Sequence, residues 1–295
     1  MPDLKGILST LPLLFVSYST IADPGELNLV SCHVSKTAYV TDLVNAYQQK
    51  TGTHINVHAG NSTSAIRDVH NGVADIGGTS RYLIKNELIE AGVELLPVAW
   101  DALTIIVHKD NPVESISLEQ AKAIYTGKIN YWSELGGTDQ KIEVLALKNK
   151  ISGNGHTLRE LLFSNVDKKI NPSRVFESSE SLELALMENP GAIAITGVSS
   201  AHLQDVKIVA LDGVSPSVDT IKSGEYALYR PLFLSYDPDS PNIDSVKDFI
   251  RFVQSRSGRD LMRSNGVVPY REAMSLVMKK VRENEASYPL TVDKI

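Results

Sequence analysis

The sequence predicts an α/β protein built as two lobes. Three observations carry this. Strand-period and helix-period segments alternate along the chain, the length suits two units, and no Pro/Gly/Ser-rich linker separates them. At 295 residues, 42% of them hydrophobic and 22% charged, the chain can bury a large core and fits two domains of ~150 residues each. Without a flexible joint, it must pass between lobes on strands, which makes a hinge with a ligand cleft beside it.

The opening segment stands apart. Lys5 gives a thin positive start, residues 7–16 are apolar but too few for the ~20 that span a bilayer, and Thr20-Ile21-Ala22 ends on a small residue. This reads as a signal peptide over 1–22, with a periplasmic or secreted mature chain that keeps no membrane span. "LVSC", ending at Cys32, has the look of a lipid-attachment box. However, Asp23, Pro24 and Glu26 part it from the apolar run, and "LNLVSCHV" reads better as a first buried strand. Cys32 is the chain's only cysteine, so it is expected to be a small buried hydrophobe, with no intrachain disulfide.

The elements follow in order. Val40, Leu43, Val44 and Tyr47 line one helical face, and Gly52 stops that helix. "HINVHA" alternates as a strand, "STSAIRDVHNG" is a short helix, and "ADIGGTS" is another strand. "VELLPVAWDALTIIVH" is two strands or one long bent one. Ser117 and Gln120 form a capping box before "LEQAKAIYTG". "KIEVLALK", "GAIAITG" and "VKIVAL" read as strands, and "SLELALMEN" and "VKDFIRFVQS" as helices. "AWDALTIIVHK" and "EYALYRPLFLSY" are the crossovers. They divide the chain into one lobe of residues 27–102 plus 226–295 and another of 103–225.

Three strand-to-helix junctions share a chemistry. "HVSKTAYV" offers Ser35 and Thr37, "HAGNSTSAIR" offers Ser62 and Thr63, and "ISGNGHTLRE" offers Ser152, Gly153 and Asn154. Hydroxyls and free backbone N–H groups at a helix N-terminus favour an anion, by ~0.3–1 kcal/mol per exposed end. One such loop is usually a plain cap. Three of them at the carboxyl ends of strands suggest a shared ligand. Arg81, after "ADIGGTS", is a candidate counter-charge. A net charge of -6 excludes a broad basic surface, so no nucleic-acid partner is expected.

The chain resembles the phosphate-binding proteins of bacterial ABC transporters, which have a type 2 periplasmic-binding-protein-like fold. "GVADIGGTSR" is similar to that family's "G-x-x-D-I-G-x-x-S-R", "AIYTGKINYWSELGG" to its "I-F-x-G-K-I-x-x-W-x-x-L-G-G", and "NPGAIAITGVSS" to a later element. The resemblance implies a monomeric receptor whose lobes close on inorganic phosphate or a related oxyanion and deliver it to a separate ABC permease, without a cofactor. It places Ser62 as the loop serine, Ser152-Gly153 in the family's Ser-Gly-Thr, and Ser35 near the first-loop hydroxyl. Lys148 stands where the family usually has Arg, and Asn154 replaces the Thr. Arg81 stands where some members carry an Asp that accepts the ligand's proton. Lys cannot grip an oxyanion bidentately and Arg has no acceptor, so phosphate is the less specified part of the expectation.

Other classes leave weaker marks. Gly60-Asn61-Ser62-Thr63-Ser64 approaches the G-x-S-x-G nucleophile elbow but lacks its last glycine, and His202 is the last histidine available to a triad. His54 and His58 share a strand face without a third metal ligand. A secreted sensor that kept the two-lobed shell and lost transport would also carry such altered loops.

Overall fold

The computed structural model describes residues 26–284; the expected signal segment 1–22 lies outside them. β1 (Leu27–Cys32) runs directly into a helix made of α1 (His33–Ser35), a π turn at Lys36–Val40, and α2 (Thr41–Thr51). α2 stops at Gly52 in the left-handed region, φ 76°, which glycine adopts without strain. β2 (Ile55–Gly60) leads to α3 (Ser62–His70). Asn61 caps α3, accepting from the Thr63 and Ser64 amides while the Ser64 hydroxyl accepts from the Asn61 amide. β3 (Ile76–Thr79) follows, and then β4 (Glu94–His108).

The long apolar run is therefore one strand of 15 residues. Next come β5 (Ser115–Ile116), α4 (Leu118–Tyr125) with the expected Ser117–Gln120 capping box, and β6 (Glu143–Leu147). α5 (Gly153–Phe163), β7 (Arg174–Phe176), α6 (Ser179–Met187), β8 (Ala192–Gly197), α7 (Val198–Ala201), β9 (Val206–Leu211) and α8 (Val218–Ser223) complete this run. The chain returns through β10 (Tyr229–Tyr236), α9 (Ile243–Val253), α10 (Arg256–Ser264), β11 (Val268–Pro269) and α11 (Met274–Asn284).

Strand pairing divides the molecule into two lobes along β4. Its first part, Glu94–Ala102, pairs antiparallel with β10, which continues through β3 and β1 to β2. Its second part, Leu103–His108, pairs antiparallel with β8 and β9, and β8 continues to β6 and β7. Fifteen residues at ~3.3 Å each span about 50 Å, enough to serve both sheets. At the crossing the Leu103 amide donates to the Leu228 carbonyl, so the returning chain runs beside the outgoing one.

Each lobe has its own core. Leu27, Leu29, Leu43, Leu232 and Phe249 belong to one, and Ile105, Val107, Ile124, Trp132 and Val209 to the other. Trp100, Tyr229, Val268 and Leu276 pack into the second core from the crossing and the C-terminal segment. β1, β2 and β3 are mutually parallel, so their carboxyl ends share one edge, which faces the start of α5.

Candidate functional site

The site begins with strand ends. At the end of β1, Cys32 caps α1: its sulfur accepts from the Ser35 amide and lies 3.3 Å from the Ser35 hydroxyl. Just past β3, Ser80 sits 3.7 Å from the same sulfur. Ser62, the first residue of α3, accepts from the Ser80 amide at 3.0 Å and lies 3.2 Å from the Ser80 hydroxyl. All four are buried.

The opposite lobe meets them with the N-terminus of α5. Ser152 caps that helix, accepting from the Gly155 amide at 3.3 Å. Gly153 packs onto the two serines so closely that a Cβ there would stand 2.1 Å from Ser80 Oγ and 2.4 Å from Ser62 Oγ. Thr63 donates to the Ile151 carbonyl, and Thr157 donates to the Ser80 carbonyl; both bonds cross between lobes. The lobes are closed on each other, and the ends of α1, α3 and α5 converge within one buried cluster. Helix N-termini carry partial positive charge, and three of them meet here.

Of the sequence-predicted residues, Ser35, Ser62, Ser152 and Gly153 come together here, with Thr63 and Arg81 beside them. Three do not. The Thr37 hydroxyl turns back to donate to the His33 and Val34 carbonyls of its own helix. The Asn154 amide donates to Ser179 inside its own lobe. The Lys148 side chain is 65% exposed and pairs with Glu177 at 2.6 Å. A lysine with a carboxylate just past the neighbouring strand keeps both charges hydrated, and entering the cleft would strip that water from it.

Arg81 is also placed differently from a free counter-charge. It is fully buried and grips Glu90 bidentately, Nη1 to Oε2 at 3.0 Å and Nη2 to Oε1 at 2.6 Å. Arg67 reaches the same carboxylate at 3.3 Å. Burial opposes the Glu90 charge, but the Arg81 and Ile84 donors and the two cations hold its pKa below the usual carboxylate range. Arg67 also reaches Glu87 at 3.6 Å, so the two cations of this group are balanced by two carboxylates.

His156, on the second turn of α5, has its pKa pushed down to about 4 by burial and by Arg81 and Arg159, so it is neutral at pH 7. In the crossing, Arg230 donates Nε and Nη2 to Asp101 Oδ2 at 3.2 and 3.1 Å. Burial raises the Asp101 pKa, while Arg230 and the Ser199 and Val198 amides at the start of α7 oppose that rise.

Sequence reasoning missed Ser80, Glu90 and the position of Cys32. Ser80 was within reach, since it ends the strand "ADIGGTS" at the same edge as the other loops. Nothing in the spacing marks Glu90, which meets Arg81 through a loop. For the nucleophile-elbow alternative, the Ser62 hydroxyl pairs with Ser80, which is not a general base, and Thr79 donates to the Ser62 carbonyl. His202 lies instead against Gly266. Among the described residues no cluster of His, Cys, Asp or Glu could hold a metal ion, and no helix is long and apolar enough to cross a membrane.

A family model for the PBP superfamily domain matches residues 29–257, which takes in both lobes. The chain belongs to the PBP superfamily. Among proteins of this kind, it is 28% identical over 219 residues to the phosphate-binding protein PstS of Bacillus subtilis, covering 73% of this chain and 71% of that one. It is 27% identical over 310 residues to protein SphX of Synechococcus elongatus, covering 96% and 91%. Its fold matches a substrate-binding protein with bound phosphate from Clostridium perfringens, with TM-score 0.75, 28% identity, and 83% and 99% of the two chains covered. It also matches an ABC-type phosphate transport receptor from Vibrio cholerae, with TM-score 0.63, 27% identity, and 83% and 100% covered. The superfamily's two-lobed α/β architecture is the one the strand pairing shows.

Proposed function

We propose that this chain is an exported solute receptor that captures an inorganic oxyanion, phosphate first, between its lobes and delivers it to an ABC permease. One observation carries the reading: donors from both lobes converge on one buried point, where Gly153 of α5 meets Ser62 and Ser80. A ligand held beside this contact draws on donors of both lobes, and this couples binding to closure. The phosphate-binding relatives support phosphate as the ligand.

In this reading Ser62, Ser80, Ser35 and Ser152 donate hydroxyl hydrogen bonds. The amides at the starts of α3 and α5 add backbone donors, and Arg81, paired with Glu90, is the nearest guanidinium. The accompanying division of the chain is 27–102 plus 226–295 against 103–225, with the crossing strands as hinge. The receptor is monomeric.

The test is calorimetry of the mature chain against phosphate and sulfate. Removing a donor to a buried charge costs about 1.5–3 kcal/mol, so Ser62→Ala should weaken phosphate roughly ten- to hundredfold. No heat from either anion, or unchanged affinity in Ser62→Ala, would count against the reading. The same titration fixes selectivity. The Glu90 carboxylate is held ionised among arginines, so it is a poor acceptor for a ligand proton, and sulfate should compete appreciably with phosphate.

A further inference from the structure

The lobes also meet through a second set of elements, where α1 packs against α6 and α7. His33 lies on α1 of one lobe, and Glu183 on α6 and Ser200 on α7 of the other. His33 Nε2 stands 2.9 Å from Ser200 Oγ and 3.4 Å from Glu183 Oε2. Beside them Val34 packs on Gly197, where a Cβ would stand 2.7 Å from Val34 Cγ1. None of these side chains is among the donors assigned to the anion.

Glu183 makes this contact more than packing. It is fully buried, and a carboxylate taken out of water is costly unless hydrogen bonds meet it. Its own lobe supplies two donors. The Thr196 hydroxyl bonds Oε1, and the Ser200 hydroxyl reaches Oε1 and Oε2 at 2.9 and 2.8 Å. An ionised carboxylate only accepts, so the single Ser200 hydrogen is spent on Glu183 and Ser200 Oγ is left to accept. The nitrogen facing it, His33 Nε2, therefore carries a hydrogen, and the same N–H leans on Glu183 Oε2. The network runs one way, from the imidazole of one lobe to the carboxylate of the other. Hydrogen bonds that end on a charge are roughly twice as strong as neutral ones. When the lobes part, Thr196 and Ser200 stay with Glu183 and His33 leaves. Its side chain is 21% exposed, so water reaches this edge and can take its place.

We propose that His33, received by Ser200 and Glu183, is a closure latch that sets the balance of open and closed forms, and hence affinity, without touching the ligand. The proposal rests on the reading that closure traps an anion, and it assigns part of the affinity to residues outside the anion site. A ligand that needs the closed form loses apparent affinity in proportion to the closed fraction. Loss of the latch therefore weakens every anion by one factor, whereas loss of a donor in the site falls unequally on anions of different protonation.

The experiment compares wild type with His33→Leu, which has no donor, and His33→Gln, whose amide N–H can replace the one on Nε2. Deuterium uptake is read in the protein without ligand at the start of α5, whose contacts with Ser62, Ser80 and Thr63 are a separate part of the interface. Calorimetry with inorganic phosphate and with sulfate gives the affinities. His33→Leu should speed uptake about fivefold and weaken both anions by about the same factor, leaving their ratio unchanged. His33→Gln should stay within about twofold of wild type in both measurements. Unchanged uptake in His33→Leu would overturn the latch. So would a loss confined to one anion, which would make His33 a ligand contact, or a loss in His33→Gln as large as in His33→Leu. If wild type binds neither anion, the oxyanion reading falls, and the uptake measurement alone decides the latch.

Discussion

Gly153 has no room for a side chain in the closed molecule, because a methyl group there would strike Ser62 and Ser80. Gly153→Ala should therefore fold, since the clash is between lobes, but close incompletely. Its phosphate affinity should drop by more than ~tenfold, and small-angle scattering should show an open shape with ligand present. Glu90 is a second point of leverage. Breaking a buried ion pair by removing one partner is destabilising by about 3–5 kcal/mol, so Glu90→Gln should lower the urea midpoint sharply. The same change leaves Arg81 uncompensated, while Arg67 keeps Glu87, so the surviving folded protein should bind dianions more tightly than wild type. His156 gives the pH dependence. Its native pKa is about 4 against an ordinary 6.5, so between those values the unfolded chain takes up a proton that the folded chain refuses. Its contribution is intact above pH 6.5 and is lost as the pH falls toward 4, by up to about 3 kcal/mol. Thermal melts at pH 7.5 and 5 should show a smaller acid loss in His156→Gln than in wild type. These residues also mark what a sequence reveals. The places of Ser62 and Ser152 at helix starts were legible from the strand-to-helix junctions, whereas Ser35 lies within its helix. The fates of Arg81 and Lys148 were not, because each is set by a carboxylate brought in by folding, Glu90 in one case and Glu177 in the other.

At the scale of elements, α5 is where the proposed site and the packing between lobes coincide. Ser152 is its N-cap, and the first seven residues of the helix, Gly153 to Arg159, are all buried, so this end is enclosed by protein. Ser152→Ala should therefore act twice: loss of the cap should cost ~1 kcal/mol of stability, and phosphate binding should weaken as well. A stability loss with unchanged affinity would make the hydroxyl a cap alone. Elements with strong local signals were readable in advance. The Ser117–Gln120 box opens α4 as the spacing requires, and Gly52 ends α2. Whether the apolar run before His108 was one strand or two was not readable. That depends on β8, β9 and β10 lying along it, and those partners come from more than eighty residues further along the chain. β5, β11 and α8 are too short for a period to emerge, and long-range pairing and packing fix them instead.

For the whole molecule, the two-lobed architecture was legible from alternation and the missing linker, since both are properties of the chain as written. The closed arrangement, with Thr63 bonded to Ile151 and Thr157 to Ser80, was not, because it depends on how two finished surfaces meet. If the proposed ligand is its energetic partner, saturating phosphate should slow hydrogen exchange at the α3 and α5 amides far more than at α9, which packs against the core of a single lobe. The 15-residue β4 has a thermal consequence of its own. Because one strand supplies hydrogen-bond partners to both sheets, and Trp100 and Leu276 pack into the far lobe's core, neither half can melt and leave the other with its edge and core intact. Heating should therefore give a single transition, with calorimetric and van't Hoff enthalpies in agreement, even though the chain is long enough for two independent domains. A mutation at the crossing should lower the melting temperature of the whole protein and should not split the trace into two peaks.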